Sequence, residues 1–202
     1  MRLTVSLVVL NFAIFFMQVA IPWLTEVIEL TPTLAIGGMY WQFFTYMFAH
    51  ATISHVGFNM LALFIFGGVM ENVLGWKKYL TLYVISGLGS GLFHIMLTGI
   101  SDIPMLGASG AVFAVLTAYA FRFPKNWIII FPGIPVPAAL MVVGFAFFEF
   151  FSGLFGLEPG IANFGHLGGI IFGLMIMSYW RYMEKKNPKE PDFEFVWETG
   201  EI

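Results

Sequence analysis

Six runs of apolar residues, each near the length that crosses a lipid bilayer, leave this chain few ways to fold. A membrane helix needs about 20 mostly apolar residues. Inside lipid its backbone N–H and C=O groups must all be paired within the protein. The runs cover residues 3–24, 53–70, 79–98, 106–121, 135–155 and 162–182. Composition agrees, with 59% hydrophobic and 10% charged residues, where a soluble domain carries about a quarter charged. The expectation is an all-α polytopic bundle of six transmembrane helices over residues 1–182, then a polar cytoplasmic tail over 183–202. The first run begins after Arg2 as a signal peptide would. It is long, however, and Gln18-Val19-Ala20 is a poor cleavage site, so it reads as a retained span. Residues 25–54 form a long connection whose Trp41, Phe43, Phe44, Tyr46 and Phe48 suit the headgroup region.

Charge placement orients the bundle. The nine basic residues are Arg2, Lys77, Lys78, Arg122, Lys125, Arg181, Lys185, Lys186 and Lys189. With six spans and a cytoplasmic N-terminus, all of them fall on the cytoplasmic side, as the positive-inside rule requires. The loops at 25–54, 99–105 and 156–161 carry none. Both termini are therefore expected inside. The formal charge of −3 arises mostly in the tail, and no nucleic-acid partner is expected. The absence of cysteine excludes disulfides, thiolate metal sites and a cysteine nucleophile.

Depth follows by counting. Ser109 lies seven residues past Asp102, His166 eight past Glu158, and Asn59 nine past His50. At ~1.5 Å per residue each sits on the order of 10 Å below the outer side. His55 lies one turn from Asn59 on the same helix face. A serine, two histidines and an asparagine from three spans thus share one layer.

Packing brings two of them together. Gly110, Ala114 and Ala118 recur every four residues in the fourth span, as do Gly165, Gly169 and Gly173 in the sixth. Such small-residue stripes let helix backbones touch. If the two stripes face each other, Ser109 and His166 come within reach, and serine needs a base to accept its proton. No carboxylate lies near His166 in sequence or in the fourth and sixth spans at that depth, which points to a Ser-His dyad and away from a triad. His55, Asn59 and the Ser109 backbone N–H are candidate donors to a developing oxyanion.

These residues resemble a known family. Gly107-Ala108-Ser109-Gly110 is similar to the Gly-x-Ser-Gly motif of the rhomboid intramembrane serine proteases. Asn163-Phe164-Gly165-His166-Leu167-Gly168-Gly169 through Gly173 resembles that family's catalytic-histidine helix, His50 through His55 to Asn59 its second-span pattern, and Glu71-Asn72-Val73-Leu74-Gly75 the segment ending that span. The resemblance runs in order over residues 35–182 and is to the bacterial six-span core.

It implies Ser109 as nucleophile, His166 as general base, and His55 and Asn59 at the oxyanion. It further implies that Gly107 shapes the turn at the serine. Phe147, Phe148, Phe150 and Phe151 would form a lateral substrate gate, with residues 153–163 as a cap loop. The implied substrates are transmembrane proteins with helix-destabilising residues and a small residue before the cut, in a bacterial inner membrane. Neither a cofactor nor a metal is implied. Two departures stand out. Many members carry tyrosine where this chain has Phe113, which can still stack on the histidine but lacks a hydroxyl. The family's Trp-Arg pair is Trp41-Gln42 here.

Other residues fit less sharply. His50 reads as a structural hydrogen bonder. His94 shares the depth of His166, so depth alone leaves it an alternative base; with no tight-packing stripe beside it, it reads rather as a residue lining the pocket. Glu149 is ionisable within the fifth span, where such a group can mark function, but it reads rather as a side chain that snorkels outward. Two other readings compete: an inactive rhomboid-like protein binding membrane clients, and a metal carrier or transporter using His50, His55, His94 and His166.

Overall fold

The apolar runs fold as helices almost throughout the computed structural model, which describes residues 1–130, 133–158 and 162–187. The first run forms α1 (Arg2–Ala20). Its opening N–H groups have no partner within the helix, and a carboxylate just past the end of the second run takes them. Glu71 accepts from Leu3 N at 3.0 Å, from Thr4 N at 2.8 Å and from the Thr4 hydroxyl at 2.8 Å. A negative group at a helix N-terminus also complements the helix dipole.

The connection that follows is more ordered than an interfacial loop. It holds three short helices, α2 (Trp23–Ile28), α3 (Pro32–Ile36) and α4 (Gln42–Thr45), and a tight turn over Tyr46–Phe48. Its aromatics divide. Trp41 and Phe44 are exposed, whereas Tyr46 and Phe48 are buried in the protein core. Gln42, which stands where the resembled family would have arginine, is also buried; its amide accepts from Thr31 N and donates to the Glu26 carbonyl. An uncharged amide can satisfy these partners without burying a cation, which would cost far more.

The second and third runs form α5 (Ile53–Ala62), a wider turn over Leu63–Gly67, and α6 (Gly68–Thr98). Thr52 caps α5 by accepting from His55 N at 3.1 Å. Gly75, at φ 75° and ψ 155°, breaks the helix between the two runs, a backbone state that glycine adopts without strain. The fourth run gives α7 (Ser109–Arg122), which starts three residues later than the apolar pattern begins. The fifth gives α8 (Ala138–Phe155), and the sixth α9 (Asn163–Lys186).

The all-α expectation misses one feature. Between α7 and α8, β1 (Trp127–Ile130) pairs antiparallel with β2 (Ile134–Pro137), with Trp127 opposite Pro137 and Ile130 opposite Ile134. The β-branched run Ile128-Ile129-Ile130 favours a strand, and Pro135 and Pro137 delay the helix until Ala138. Residues 188–202, and with them most of the expected tail, lie outside the described residues, as do 159–161 of the expected cap loop.

Among the described residues, three helical stretches are long and apolar enough to cross a membrane: Arg2–Ala20, Ile53–Thr98 and Ala138–Phe155. The helix at the centre is none of these. α7 is mostly buried, packed between α6 and α9. At ~1.5 Å per residue it is about 21 Å long, against ~30 Å for a bilayer's hydrocarbon core.

Its contact with α9 is backbone on backbone. A Cβ added to Gly169 would collide with the Gly110 carbonyl, and one on Gly173 would lie 2.9 Å from Ala114 Cα. Gly169→Leu is therefore expected to destabilise the protein by at least the ~1–3 kcal/mol typical of overpacking. Gly144→Ala in α8, where an added Cβ meets nothing within 4 Å, should be neutral or gain up to ~1 kcal/mol of helix propensity. Thermal unfolding in detergent micelles checks the pair. Equal behaviour of both variants would contradict the packing.

Candidate active site

The stretch leading into α7 is held from several sides before any chemistry is considered. Leu30 and Met105 exchange two backbone hydrogen bonds, each 2.9 Å long. Gly107 N donates to the Tyr46 carbonyl at 2.9 Å, and Tyr46 in turn donates its hydroxyl to the Gly87 carbonyl at 2.6 Å. Gly107 has φ +127°, in the region that favours glycine. A Cβ there would also lie 2.8 Å from His55 Nε2 and 3.6 Å from Ser109 Oγ. The histidine ring and the serine hydroxyl therefore crowd the same point.

His50 completes the brace. Its Nδ1 faces the Phe48 carbonyl at 3.3 Å, and Ala108 N donates to its Nε2 at 3.4 Å. These partners demand a proton on Nδ1 and a lone pair on Nε2. Its backbone N–H donates to the Gln18 side chain at 3.0 Å. His50 is thus a structural hydrogen bonder that fixes the residue immediately before Ser109.

Ser109 is the first residue of α7, so its N–H lies among those without an intrahelical partner. It opens onto a cavity of about 630 Å³ that is also lined by His55, Asn59, Phe113, Phe145 and His166. Ser109 and His166 reach this cavity from α7 and α9. Among the described residues, no hydrogen bond joins Ser109 to His166; catalytic contacts are often long until substrate binds. Asn59 uses one amide N–H on the His55 carbonyl at 3.0 Å, and an amide nitrogen carries two. The Phe113 ring lies over His166 with centroids 4.8 Å apart and planes 31° apart, so the stacking survives without the hydroxyl.

The glycines of the sequence pattern sit behind the cavity. Gly110 faces Ser90, whose hydroxyl donates to the Gly165 carbonyl at 2.6 Å; Gly169 abuts Gly110. Ser90, on α6, was not singled out by its sequence surroundings. His94 does not line the cavity, and its Nδ1 is buried without a hydrogen-bond partner.

The expectation that no carboxylate reaches His166 is overturned. Glu149 on α8 is buried at 6% exposure, and its Oε1 lies 3.0 Å from His166 Nδ1. Its Oε2 accepts from Asn163 Nδ2 at 2.8 Å, and the same amide nitrogen reaches Glu158 Oε2 at 3.1 Å. Glu149 comes from neither the fourth nor the sixth span but from α8, which also packs on α9. Snorkelling does not occur because the carboxylate finds two partners inside the protein. A carboxyl in one span and an Asn-x-x-His spacing in the next was the signal available.

Comparison with known proteins converges on one family. The Rhomboid domain family model matches residues 37–182. The chain is 32% identical over 148 residues to Rhomboid protein 1, mitochondrial, of Saccharomyces cerevisiae, covering 71% of this chain and 42% of that protein. It is 28% identical over 200 residues to Rhomboid protease AarA of Providencia stuartii, covering 86% and 70% respectively. For Rhomboid protease GlpG of Haemophilus influenzae the identity is 33% over 149 residues, covering 74% and 72%. The chain spans less than half the length of several eukaryotic relatives that it matches, 42%, 26% and 38% of three of them.

Acid probes the brace before Ser109. Burial, and then the neighbouring His55, push His50 down to about 4, while the Phe48 carbonyl opposes the shift. Its stabilising contribution is complete above the unfolded value of about 6.5 and is lost as pH falls through that value toward about 4. Wild type should lose on the order of 3 kcal/mol more than His50→Asn between pH 7 and pH 4, read as thermal unfolding in micelles. The same acid sensitivity in both proteins would contradict this.

Proposed function

Because the chain belongs to the rhomboid family, and is thus a multi-pass membrane protein, we propose that it is an intramembrane serine endopeptidase. Ser109 is the nucleophile and His166 the general base. The observation that carries this reading is that both line one cavity, from two helices whose backbones touch, with His55 and Asn59 on the same walls. Two of the relatives compared above are named as proteases.

The chemistry follows from the residue types. His166 takes the Ser109 proton as the oxygen attacks a substrate peptide carbonyl, and the carbonyl oxygen gains negative charge. His55, Asn59 and the Ser109 N–H, at the positive end of α7, donate to that oxygen. The imidazolium then gives its proton to the leaving amine, and water hydrolyses the acyl-serine by the reverse transfer. In apolar surroundings these fixed donors act more strongly than they would in water.

Charge placement supports six spans with both termini in the cytoplasm of a cell whose inner membrane holds the protein. Ser109 then lies below the outer surface, and transmembrane proteins are cut near that face. α8 presents Phe147, Phe148, Phe150 and Phe151 outward, which suits lateral entry of a substrate helix past them. No cofactor or metal takes part in this scheme.

Reconstituted into liposomes with a model transmembrane substrate, wild type is expected to cleave it. Ser109→Ala and His166→Ala should each lose at least ~10³-fold in kcat. His55→Ala and Asn59→Ala should each lose about 10²–10³-fold. Cleavage that survives Ser109→Ala or His166→Ala would contradict the assignment.

A further inference from the structure

The carboxyl group of Glu149 spans two positions of the neighbouring helix. One oxygen meets His166 Nδ1 at 3.0 Å and the other accepts from Asn163 Nδ2 at 2.8 Å, both within α9 and three residues apart. Residues at that spacing share a helix face. Asn163 is itself buried, and its second contact, to Glu158 Oε2 at 3.1 Å, holds it in place. Both oxygens of Glu149 are therefore oriented by fixed donors.

We propose that Glu149 is the positioning residue for His166, keeping the imidazole in the Nδ1–H form so that Nε2 carries the lone pair. The inference rests on the proteolytic reading of the site. A carboxylate only accepts hydrogen bonds, so the proton between the two groups belongs to Nδ1. Imidazole free in water favours the opposite tautomer, which would offer Ser109 a nitrogen that already holds a proton. When Nε2 takes the serine proton, the ring becomes an imidazolium whose Nδ1–H stays on Glu149. No proton passes to the carboxylate, which acts through orientation and charge. Phe113 holds one face of the ring. His55 and His94 also interact electrostatically with His166, and the Glu158 carboxylate reaches the same Asn163 amide.

The geometry makes glutamine a poor substitute although it is isosteric. In one amide orientation its NH2 would face the Asn163 NH2; in the other it would donate to His166 Nδ1 and select the wrong tautomer. Glu149→Gln is expected to lower kcat about 10²–10⁴-fold with little change in KM, and Glu149→Asp to retain more activity than Gln. The decisive readout is ¹⁵N NMR of the histidine-labelled full chain in micelles, with His166 assigned by its absence from His166→Ala. In the neutral ring, wild type should show a protonated Nδ1 and an unprotonated Nε2, and Glu149→Gln should invert them.

A His166 protonated on Nε2 in wild type overturns the proposal, whether or not the variant folds. So does a Glu149→Gln protein that keeps the wild-type kcat while Ser109→Ala is inactive. A wild type that cleaves nothing, yet shows the tautomer and its inversion, would instead count against the proteolytic reading and leave the positioning role supported.

Discussion

The arrangement depends on two helix backbones touching. Gly110 and Ala114 of α7 lie against Gly169 and Gly173 of α9 without room for a side chain at Gly169. In lipid there is no hydrophobic gain from bringing helices together, so close van der Waals packing and interhelical hydrogen bonds hold them. That single contact sets the separation of Ser109 and His166, each next to a glycine of the stripe. It also sets how far a side chain from α6 or α8 must reach to join them. Ser90 bridges to the Gly165 carbonyl from one flank, and Glu149 reaches Asn163 and His166 from the other.

Around this contact, polar groups are buried in apolar surroundings, and each such group costs free energy unless paired. Pairing explains residues with no part in the chemistry. His50 satisfies Ala108 N, Tyr46 satisfies Gly107 N through its carbonyl, and Glu71 takes the first N–H groups of α1. The serine is consequently mounted on a short helix whose approach is fixed by the first loop. The loop is a structural part of the site and carries buried core residues as well as an interfacial surface.

Much of this was legible in the sequence, and the reason is periodicity. Gly110 and Ala114, or Gly169 and Gly173, repeat at a helical interval, so the touching faces can be read within each helix. The His55–Asn59 pair and Phe113, one turn from Ser109, are local in the same sense. The reading of Glu149 as snorkelling outward failed because its placement is non-local. Nothing in Phe147-Phe148-Glu149-Phe150-Phe151 reveals that the carboxyl turns inward, since that depends on the rotation of α8 against α9 and on Asn163 waiting there. The β1–β2 hairpin was missed because its two strands are four residues each, mostly in the connection between the fourth and fifth runs, too short to show an alternating pattern. Gln42 looked like the loss of a cation, but its environment is a set of backbone groups that an amide satisfies.

The central claim is that a serine at the start of α7 is made reactive by a histidine of α9. Treating the reconstituted protein with a fluorophosphonate and mapping the adduct by mass spectrometry tests this without any assumption about the natural substrate. A single adduct is expected, on Ser109, formed in wild type and absent from His166→Ala. An adduct on another residue, or one forming on Ser109 at an undiminished rate without His166, would contradict it.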